Sequence, residues 1–214
     1  MLDVVIATAN PKKFKELRAV LRAPGIRLRS LQEWPGVRPP AEHGTTFLAN
    51  AALKARAAAR ATGLPAVADD SGLEIDALGG APGVRSARFA GRHGDDAANN
   101  RKVLRLLQGV PARRRGAAFR CVLALAAPRK LLAVAKGAIR GRIAAAPRGS
   151  RGFGYDPIFF VPRLGKTTAE LSPAMKHRIS HRGQAARRMR RVLAALAARH
   201  RRESNSRSRV DGTS

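Results

Sequence analysis

The feature that most constrains the fold is the N-terminal segment, where an apolar run leads directly into a capped helix. Residues Leu2 to Thr8 are almost all apolar, as is typical of a strand buried on both faces. Asn10 is a favourable N-cap, and Pro11 suits the first helical position because its missing N–H would have no partner there. Apolar residues recur at helical spacing as far as Arg22, after which Pro24 ends the helix. The segment therefore predicts a strand–loop–helix unit.

The start of this helix has the geometry of a phosphate-binding site. Free backbone N–H groups at a helix N-terminus attract anions, and Lys13 adds a positive charge at the same end. The glycines of a Walker A loop are missing, so the motif by itself also fits a capped helix with a solvated lysine.

Two adjacent carboxylates mark a second candidate site. Asp69 and Asp70 follow a predicted strand from Leu64 to Ala68, and Ser71-Gly72 after them predict a tight turn. Four of the 14 acidic residues fall within residues 67–76, although the chain carries 42 basic residues. Oxygen ligands at the rim of a sheet are typical of Mg²⁺ sites, so the stretch predicts a site for a hard cation. The alternative is a polar turn closed by an Asx-type hydrogen bond.

A glycine-rich loop forms a third candidate site. Phe153 stands between Gly152 and Gly154, so its backbone has freedom and its ring has an open face that suits stacking on a flat base. The alternative is a β-turn whose phenylalanine packs into the core.

Hydrophobic spacing and turn residues predict the remaining elements. They are a strand Ile26–Leu31, an alanine-rich helix capped by Thr45 and ending near Thr62, a helix Asp95–Leu107 with Val103, Leu106 and Leu107 inward, a β-hairpin of Ala117–Ala126 and Leu131–Ile139, a strand Ile158–Val161, a Ser172-capped helix carrying Lys176, and a last helix Gln184–Arg199. Asn50 and Lys54 are four residues apart and share one face of the alanine-rich helix.

Composition limits the class of protein and its partners. A net charge of +28 predicts attraction to polyanions, including nucleotides, nucleic acid and anionic membranes. The single cysteine, Cys121, excludes an internal disulfide framework and a thiolate zinc cluster, and it fits a reducing compartment. No apolar run is long enough to span a bilayer, and the first residues lack the features of a signal peptide. We therefore expect a cytoplasmic protein with no membrane partner.

The chain divides into one domain and a tail. Residues 1–198 are long enough to bury a full core. Residues 199–214 are rich in arginine, serine and asparagine with almost nothing to bury, which predicts a basic disordered tail that could associate with nucleic acid.

Several short motifs follow one another in a fixed order, and together they resemble the inosine triphosphate pyrophosphatase family, also called dITP/XTP pyrophosphatases. The resemblance covers residues 3–197. The motifs are Thr8-x-Asn10-x-x-Lys13, Glu42-x-Gly44-x-Thr46-Phe47, Asn50-Ala51-x-x-Lys54-Ala55, Ala68-Asp69-Asp70-Ser71-Gly72-Leu73, Leu78-Gly79-Gly80-x-Pro82-Gly83, Gly152-Phe153-Gly154-Tyr155-Asp156-Pro157 and Ser180-His181-Arg182-Gly183.

The resemblance implies an α/β fold, elongated and two-lobed, around a central mixed β-sheet, with a substrate cleft between the lobes and a homodimer. It also implies Mg²⁺-dependent cleavage between the α- and β-phosphates of non-standard purine nucleoside triphosphates (ITP, dITP, XTP), giving the monophosphate and pyrophosphate. Such enzymes remove deaminated purine nucleotides from the precursor pool.

Carried over by position, the resemblance also implies a role for each motif residue. Asp70 would be the base that activates water, and Glu42 with Asp70 would hold magnesium. The implied substrate-binding residues are Thr8, Ala9, Asn10, Pro11, Lys12, Lys13, Lys54, Ser71, Phe153, Gly154, Tyr155, Asp156, Lys176, His181 and Arg182.

Two departures from the family pattern affect the metal site. Ala49 stands where the helix motif usually begins with a glutamate, and Glu42 has Ala41 and His43 beside it where many members carry a second acid. Two other functions stay open on the sequence. One is a nucleic-acid-binding protein without catalysis, and the other is a pyrophosphatase for modified pyrimidine nucleotides.

Overall fold

A computed structural model describes the backbone of residues 1–210 and the side chains of residues 1–202. The strands are β1 (Leu2–Ile6), β2 (Ile26–Ser30), β3 (Ala66–Ile75), β4 (Gly116–Ala126), β5 (Leu131–Ile143), β6 (Phe159–Val161) and β7 (Lys166–Thr167). The α-helices are α1 (Pro11–Leu21), α2 (Phe47–Thr62), α3 (Asp96–Leu106), α4 (Pro173–Ile179) and α5 (His181–Val210).

The strands form one mixed sheet in the order β2-β1-β3-β4-β5-β6-β7. Strand β1 pairs in parallel with β2 and β3, because helices α1 and α2 return the chain to the same edge before each new strand. The longest ladders are antiparallel and join β3 to β4 and β4 to β5. The predicted hairpin and the central mixed sheet are both confirmed.

Helices cover the two faces of the sheet with different side chains. On one face, Leu17 and Leu21 of α1 and Met189 and Leu193 of α5 pack in one cluster on Val4, Ile6, Val67, Leu123 and Leu125. On the other face, α2 packs through small residues such as Ala51, Ala55 and Ala59. The abundance of alanine therefore produces a thin layer under α2, as the composition suggests.

Strand β3 differs from its prediction, because it does not end at the two aspartates. It continues through them to Ile75, and Asp70 lies in mid-strand opposite Val122 of β4. Gly72 allows this, because a Cβ atom there would lie 2.4 Å from both the Gly83 carbonyl oxygen and Ser86 Oγ. Ser86 Oγ instead accepts a hydrogen bond from the Leu73 N–H at 2.9 Å. The predicted tight turn is therefore wrong.

Two further differences concern the cap of α2 and the buried face of α3. Thr46, and not Thr45, caps α2 by accepting the Ala49 N–H. Leu106 is 45% exposed, so its predicted inward position is wrong, whereas Val103 and Leu107 are buried.

The last helix is longer than predicted at both ends. It begins at His181 and not at Gln184, so His181 and Arg182 lie in its first turn. Its backbone continues to Val210, where the sequence predicted a disordered tail from Arg199. The rest of that predicted tail, residues 211–214, lies outside the described residues. No helix within the described residues is long and apolar enough to cross a membrane.

Candidate active site

Two adjoining cavities open beside β1, β3 and the start of α1. They share Asn10, Lys13, Ser71, Ala87 and His93 in their walls. The first, which we call the carboxylate cavity, is also lined by Thr8, Ala9, Glu42, Lys54, Asp69, Asp70 and Arg88. The second, which we call the aromatic cavity, is also lined by Phe119, Phe153, Gly154, Tyr155, Asp156, Lys176, His181 and Arg182.

In the carboxylate cavity, one lysine lies between two acids from different segments. Lys54 Nζ lies 2.7 Å from Glu42 Oε1 and 3.3 Å from Asp70 Oδ1. Burial raises the pKa of Asp70 above its ordinary value, Lys54 lowers it in part, and the negative charge of Glu42 raises it again. Burial alone would lower the pKa of Lys54, but the charges of Asp69 and Asp70 raise it, so the ammonium stays protonated.

Asn50 connects the loop that carries Glu42 to the strand that carries Asp70. Its Nδ2 donates to Asp70 Oδ2 at 3.2 Å and to the Gly44 carbonyl oxygen at 3.3 Å. Its Oδ1 accepts the Gly44 N–H at 2.8 Å. The predicted shared face of Asn50 and Lys54 is confirmed, because both side chains donate to Asp70.

Asp69 has a separate set of partners from Asp70. Its Oδ2 lies 3.0 Å from Lys13 Nζ and 3.5 Å from the Arg182 guanidinium, and it accepts the Ser71 hydroxyl at 3.1 Å. Burial would raise the pKa of Asp69, but Lys13 and Arg182 outweigh it and hold the pKa far below its usual range. Asp69 therefore stays ionised and supplies a counter-charge to both cavities.

The N-terminus of α1 is already occupied by its own cap. Asn10 Oδ1 accepts the backbone N–H groups of Lys12 at 2.9 Å and Lys13 at 3.1 Å, and Thr8 Oγ1 accepts the Asn10 N–H at 3.2 Å. The N–H groups that were predicted to be free are therefore paired in this structure, because the Asn10 side chain accepts their hydrogen bonds. Positive charge here comes from the Lys13 ammonium.

The glycine-rich loop presents an aromatic ring surrounded by cations. Lys176 Nζ lies 4.9 Å and the Arg182 guanidinium 5.2 Å from the centroid of the Phe153 ring. Asp156 Oδ2 fixes the loop by accepting the Phe153 N–H at 2.8 Å and Lys176 Nζ at 2.6 Å. Gly152 is required here, because a Cβ atom would lie 2.0 Å from the Asp156 carboxylate.

Glu16 holds two of these cations together. Its two carboxylate oxygens lie 3.0 Å from Lys176 Nζ and 2.6 Å from an Arg182 nitrogen. Burial raises the pKa of Glu16, but the positive charges of Arg182 and Lys176 lower it by a larger amount. The pKa of Glu16 therefore lies below its ordinary value.

Two buried nitrogen atoms in the aromatic cavity have no hydrogen-bond partner among the described side chains and backbone. They are His181 Nδ1 and Arg182 Nε. The His181 ring stacks on Phe119, with the ring centroids 4.7 Å apart. Burial, helped by the charges of Arg182 and Lys176, lowers the pKa of His181 well below its ordinary value, so the ring is neutral at pH 7. Buried polar atoms in native proteins are almost always bonded, so these two nitrogens lack a partner that such atoms usually have.

Most predicted site residues line a cavity, and a few do not. Pro11 lines neither and serves to start α1. Lys12 lines neither as well, although its ammonium lies 6.0 Å from the Phe153 ring centroid. The Tyr155 hydroxyl donates to the Ser86 carbonyl oxygen at 2.8 Å, so this side chain also belongs to the core.

Glu16 and Asp69 have roles in the site that the sequence did not predict. No local pattern indicates Glu16, because its partners Lys176 and Arg182 lie more than 150 residues away along the chain. Asp69 belonged to the predicted carboxylate pair, but its place between Lys13 and Arg182 depends on the fold.

Glu42 and Asp70 offer oxygen ligands that fit Mg²⁺. Among the side chains described, no group of three or more His, Cys, Asp and Glu residues forms a metal cage. Protein Mg²⁺ sites commonly use one or two carboxylates, with waters and substrate phosphates completing the shell, so two carboxylates match the usual number. Ala49 is exposed at the start of α2 and adds no carboxylate.

Comparison with known proteins places the chain in a family. The sequence profile of the Ham1 family matches residues 4–192. A dITP/XTP pyrophosphatase of Geobacillus kaustophilus is 51% identical over 185 residues, which cover 86% of this chain and 91% of that protein. A dITP/XTP pyrophosphatase of Yersinia pseudotuberculosis serotype I is 52% identical over 191 residues, covering 88% and 96%.

Solved structures agree. A HAM1 protein from Coxiella burnetii has a TM-score of 0.83 and 46% identity, covering 91% of this chain and 100% of that one. A nucleoside-triphosphatase / dITP/XTP pyrophosphatase from Mycobacterium abscessus has a TM-score of 0.71 and 46% identity, covering 91% and 98%. The predicted fold class is confirmed by these likenesses, and the chain is a member of the Ham1 family.

Proposed function

We propose that this protein hydrolyses non-standard purine nucleoside triphosphates, namely ITP, dITP and XTP, to the monophosphate and pyrophosphate. The observation that carries the proposal is the pair of adjoining cavities. One holds lysines and carboxylates, the other an aromatic ring and unpaired nitrogens, and their shared walls include Asn10, Lys13 and Ser71. A triphosphate with an attached base fits that division.

In the carboxylate cavity, Lys13 and Lys54 neutralise phosphate oxygens, and Thr8, Ala9 and Asn10 form the wall beside the phosphate chain. Asp70 accepts a proton from the attacking water, whose oxygen bonds to the α-phosphorus. The bond from that phosphorus to the bridging oxygen breaks, and pyrophosphate leaves. The raised pKa of Asp70 suits a general base better than that of an ordinary aspartate. Mg²⁺ held by Glu42 and Asp70 would neutralise phosphate charge and acidify bound water.

In the aromatic cavity, Phe153 supplies a ring face, and Gly154, Tyr155 and Asp156 shape the loop around it. His181 Nδ1 and Arg182 Nε are the unpaired groups that can bond a 6-oxo purine. With the proton of the neutral His181 ring on Nδ1, both nitrogens are donors that match the 6-oxo oxygen, whereas the 6-amino group of adenine is itself a donor and would leave them unpaired. Buried groups left unpaired in this way can discriminate by about 10⁴-fold.

The decisive experiment measures pyrophosphate release from a panel of triphosphates with and without Mg²⁺. We expect turnover of ITP, dITP and XTP that EDTA abolishes and Mg²⁺ restores, with ATP and the pyrimidine triphosphates poor substrates. GTP belongs in the panel because guanine also carries a 6-oxo group. Highest activity on a pyrimidine nucleoside triphosphate would show that pyrimidine nucleotides, and not purine nucleotides, are the substrates. No pyrophosphate release from any triphosphate would overturn the proposal.

Two variants test the assigned roles. Asp70→Asn should lower kcat by about 10²–10⁴-fold without unfolding the protein, because it removes the base and keeps the side-chain shape. Glu42→Gln should raise the Mg²⁺ concentration needed for half-maximal rate. The matched control is Glu33→Gln, since Glu33 lies outside both cavities and pairs with Arg29.

We further propose a homodimer in the cytoplasm. The resemblance supports the homodimer, and the single buried thiol of Cys121 supports a reducing compartment. Light scattering of the purified protein and localisation of a tagged copy test the two statements.

A further inference from the structure

Helices α1 and α5 expose a surface that carries almost only positive charge. Residues 11–21 and 181–202 together contain one acid, Glu16, and its carboxylate turns inward to Lys176 and Arg182. The exposed cations on α1 and just after it include Lys15, Arg18 and Arg22, and those on α5 include Arg190 and Arg191. None of these five has an ion pair with an acid among the described side chains.

The two helices present these cations on the same side of the molecule. Leu17 and Leu21 of α1 share one buried cluster with Met189 and Leu193 of α5 on a single face of the sheet. The faces opposite this cluster therefore point away from the sheet together. Lys15, Arg18 and Arg22 recur at helical spacing, so they follow one line along α1.

We propose that this basic surface, defined by Lys15, Arg18, Arg22, Arg190 and Arg191, binds the phosphate backbone of double-stranded nucleic acid without reading its sequence. The line from Lys15 to Arg22 spans roughly 10 Å, along which duplex DNA presents about six phosphates. Arginine and lysine side chains on two adjacent helices can follow such a uniform charge.

Nucleic acid fits this surface better than a membrane does. A helix that lies on a bilayer inserts an apolar face, whereas the apolar faces of α1 and α5 are buried against the sheet. The exposed large hydrophobic residues, Met1, Leu48, Leu106 and Val134, all lie outside the two helices. The surface also has no exposed aromatic side chain, which favours contact with a duplex backbone over stacking on single-stranded bases.

The test is fluorescence anisotropy of a labelled mixed-sequence DNA duplex, titrated with the full chain between about 50 and 200 mM salt. The variant Arg18→Gln/Arg22→Gln/Arg190→Gln/Arg191→Gln removes four charges and keeps helix-forming side chains. The affinity should fall at least about tenfold at 100 mM salt, and the slope of log K against log salt should decrease by roughly three to four.

A matched control removes four exposed arginines from other surfaces: Arg56→Gln/Arg60→Gln/Arg113→Gln/Arg114→Gln. It should weaken binding by less than about threefold, since those four arginines lie outside the basic surface. Equal weakening by both variants, or no duplex binding by the wild type at 50 mM salt, would overturn the proposal. So would tighter binding to vesicles of anionic lipid than to the duplex.

Circular dichroism confirms that each variant is folded. If the variant with all four substitutions does not fold, Arg18→Gln/Arg22→Gln and Arg190→Gln/Arg191→Gln are measured separately. Each double variant should change the slope of log K against log salt by about two. The surface residues line neither cavity, so pyrophosphate release should persist when duplex binding is lost. A negative result for duplex binding can therefore be distinguished from a negative result for the proposed hydrolysis, because the two activities are measured separately.

Discussion

The ammonium group of Lys13 lies 3.0 Å from a carboxylate oxygen of Asp69, whose side chain is 1% exposed. The same oxygen lies 3.5 Å from the Arg182 guanidinium, which lines the aromatic cavity. Asp69 thus holds in place a cation from each side of the site, while its neighbour Asp70 faces Lys54 and Asn50. Adjacent carboxylates on one strand therefore have distinct tasks.

Asp69→Asn should destabilise the protein, because it leaves two largely buried cations without this counter-charge. We expect the free energy of unfolding to fall by about 3 kcal/mol. Urea denaturation measures the change. Asp70→Asn is the matched control and should cost less than about 1 kcal/mol, since burial already disfavours its charge. Equal stability of Asp69→Asn and wild type would contradict this division of tasks.

Acid should remove the same stabilisation. The pKa of Asp69 is lower in the folded protein than in the unfolded chain, so its contribution is fully present above the unfolded value of about 3.9 and is lost as the pH falls below it. Urea unfolding between about pH 5 and pH 2 should therefore show a steeper loss of stability for wild type than for Asp69→Asn. Parallel curves for the two proteins would refute the assignment.

Glu16→Gln should weaken substrate binding more than chemistry. The change removes the charge that holds Lys176 and Arg182 beside Phe153, so the aromatic cavity loses its arrangement while Asp70 and Lys54 keep theirs. We expect KM for ITP to rise about tenfold, equivalent to about 1.4 kcal/mol, with kcat changing less than threefold. Glu170→Gln, on an exposed pair with Arg148, is the control. A large fall in kcat with unchanged KM would contradict this role.

His181→Phe should reduce discrimination between 6-oxo and 6-amino purines. Phenylalanine keeps the stack on Phe119 but lacks the unpaired Nδ1. The ratio of kcat/KM for ITP to that for ATP should fall by about 10- to 100-fold, because one hydrogen-bonding group is lost. His177→Phe, outside both cavities, should leave the ratio unchanged. An unaltered ratio in His181→Phe would exclude Nδ1 from base recognition.

Gly72→Ala should be strongly destabilising despite its ordinary backbone angles. The added methyl group would lie 2.4 Å from the Gly83 carbonyl oxygen and Ser86 Oγ and 3.0 Å from the Phe47 ring. Overpacking of this kind costs about 1–3 kcal/mol. Gly36→Ala is the matched control, because its methyl group would meet nothing within 4 Å. Thermal unfolding of the two variants measures the difference, and equal midpoints would contradict the predicted clash.

The sequence was most informative where a local rule fixes the outcome. Asn10 and Pro11 predict the start of α1 because capping depends on adjacent residues, and the apolar runs of β4 and β5 predict a hairpin for the same reason. The resemblance supplied the candidate site residues, since it compares ordered motifs and not local propensity. Their chemical roles stay predictions until the variants are measured.

Errors arose where tertiary contacts decide. Ser71-Gly72 has turn chemistry, but ten consecutive pairings with β4 and the close approach of Ser86 keep the segment extended. The N–H groups that were expected to be free at the start of α1 donate to Asn10 Oδ1. The sequence predicts Asn10 as the cap, and a cap of this kind pairs those N–H groups itself. Glu16 could not be found because its partners come from the distant end of the chain.

The amide of Asn50 links the backbone of Gly44 to the carboxylate of Asp70. It accepts the Gly44 N–H, donates to the Gly44 carbonyl oxygen and also donates to Asp70 Oδ2. Any outward swing of the segment bearing Glu42 that pulls on Gly44 also strains the hydrogen bond to Asp70. The segment that carries Glu42 and the strand that carries Asp70 are thereby held at a fixed spacing by one side chain of α2.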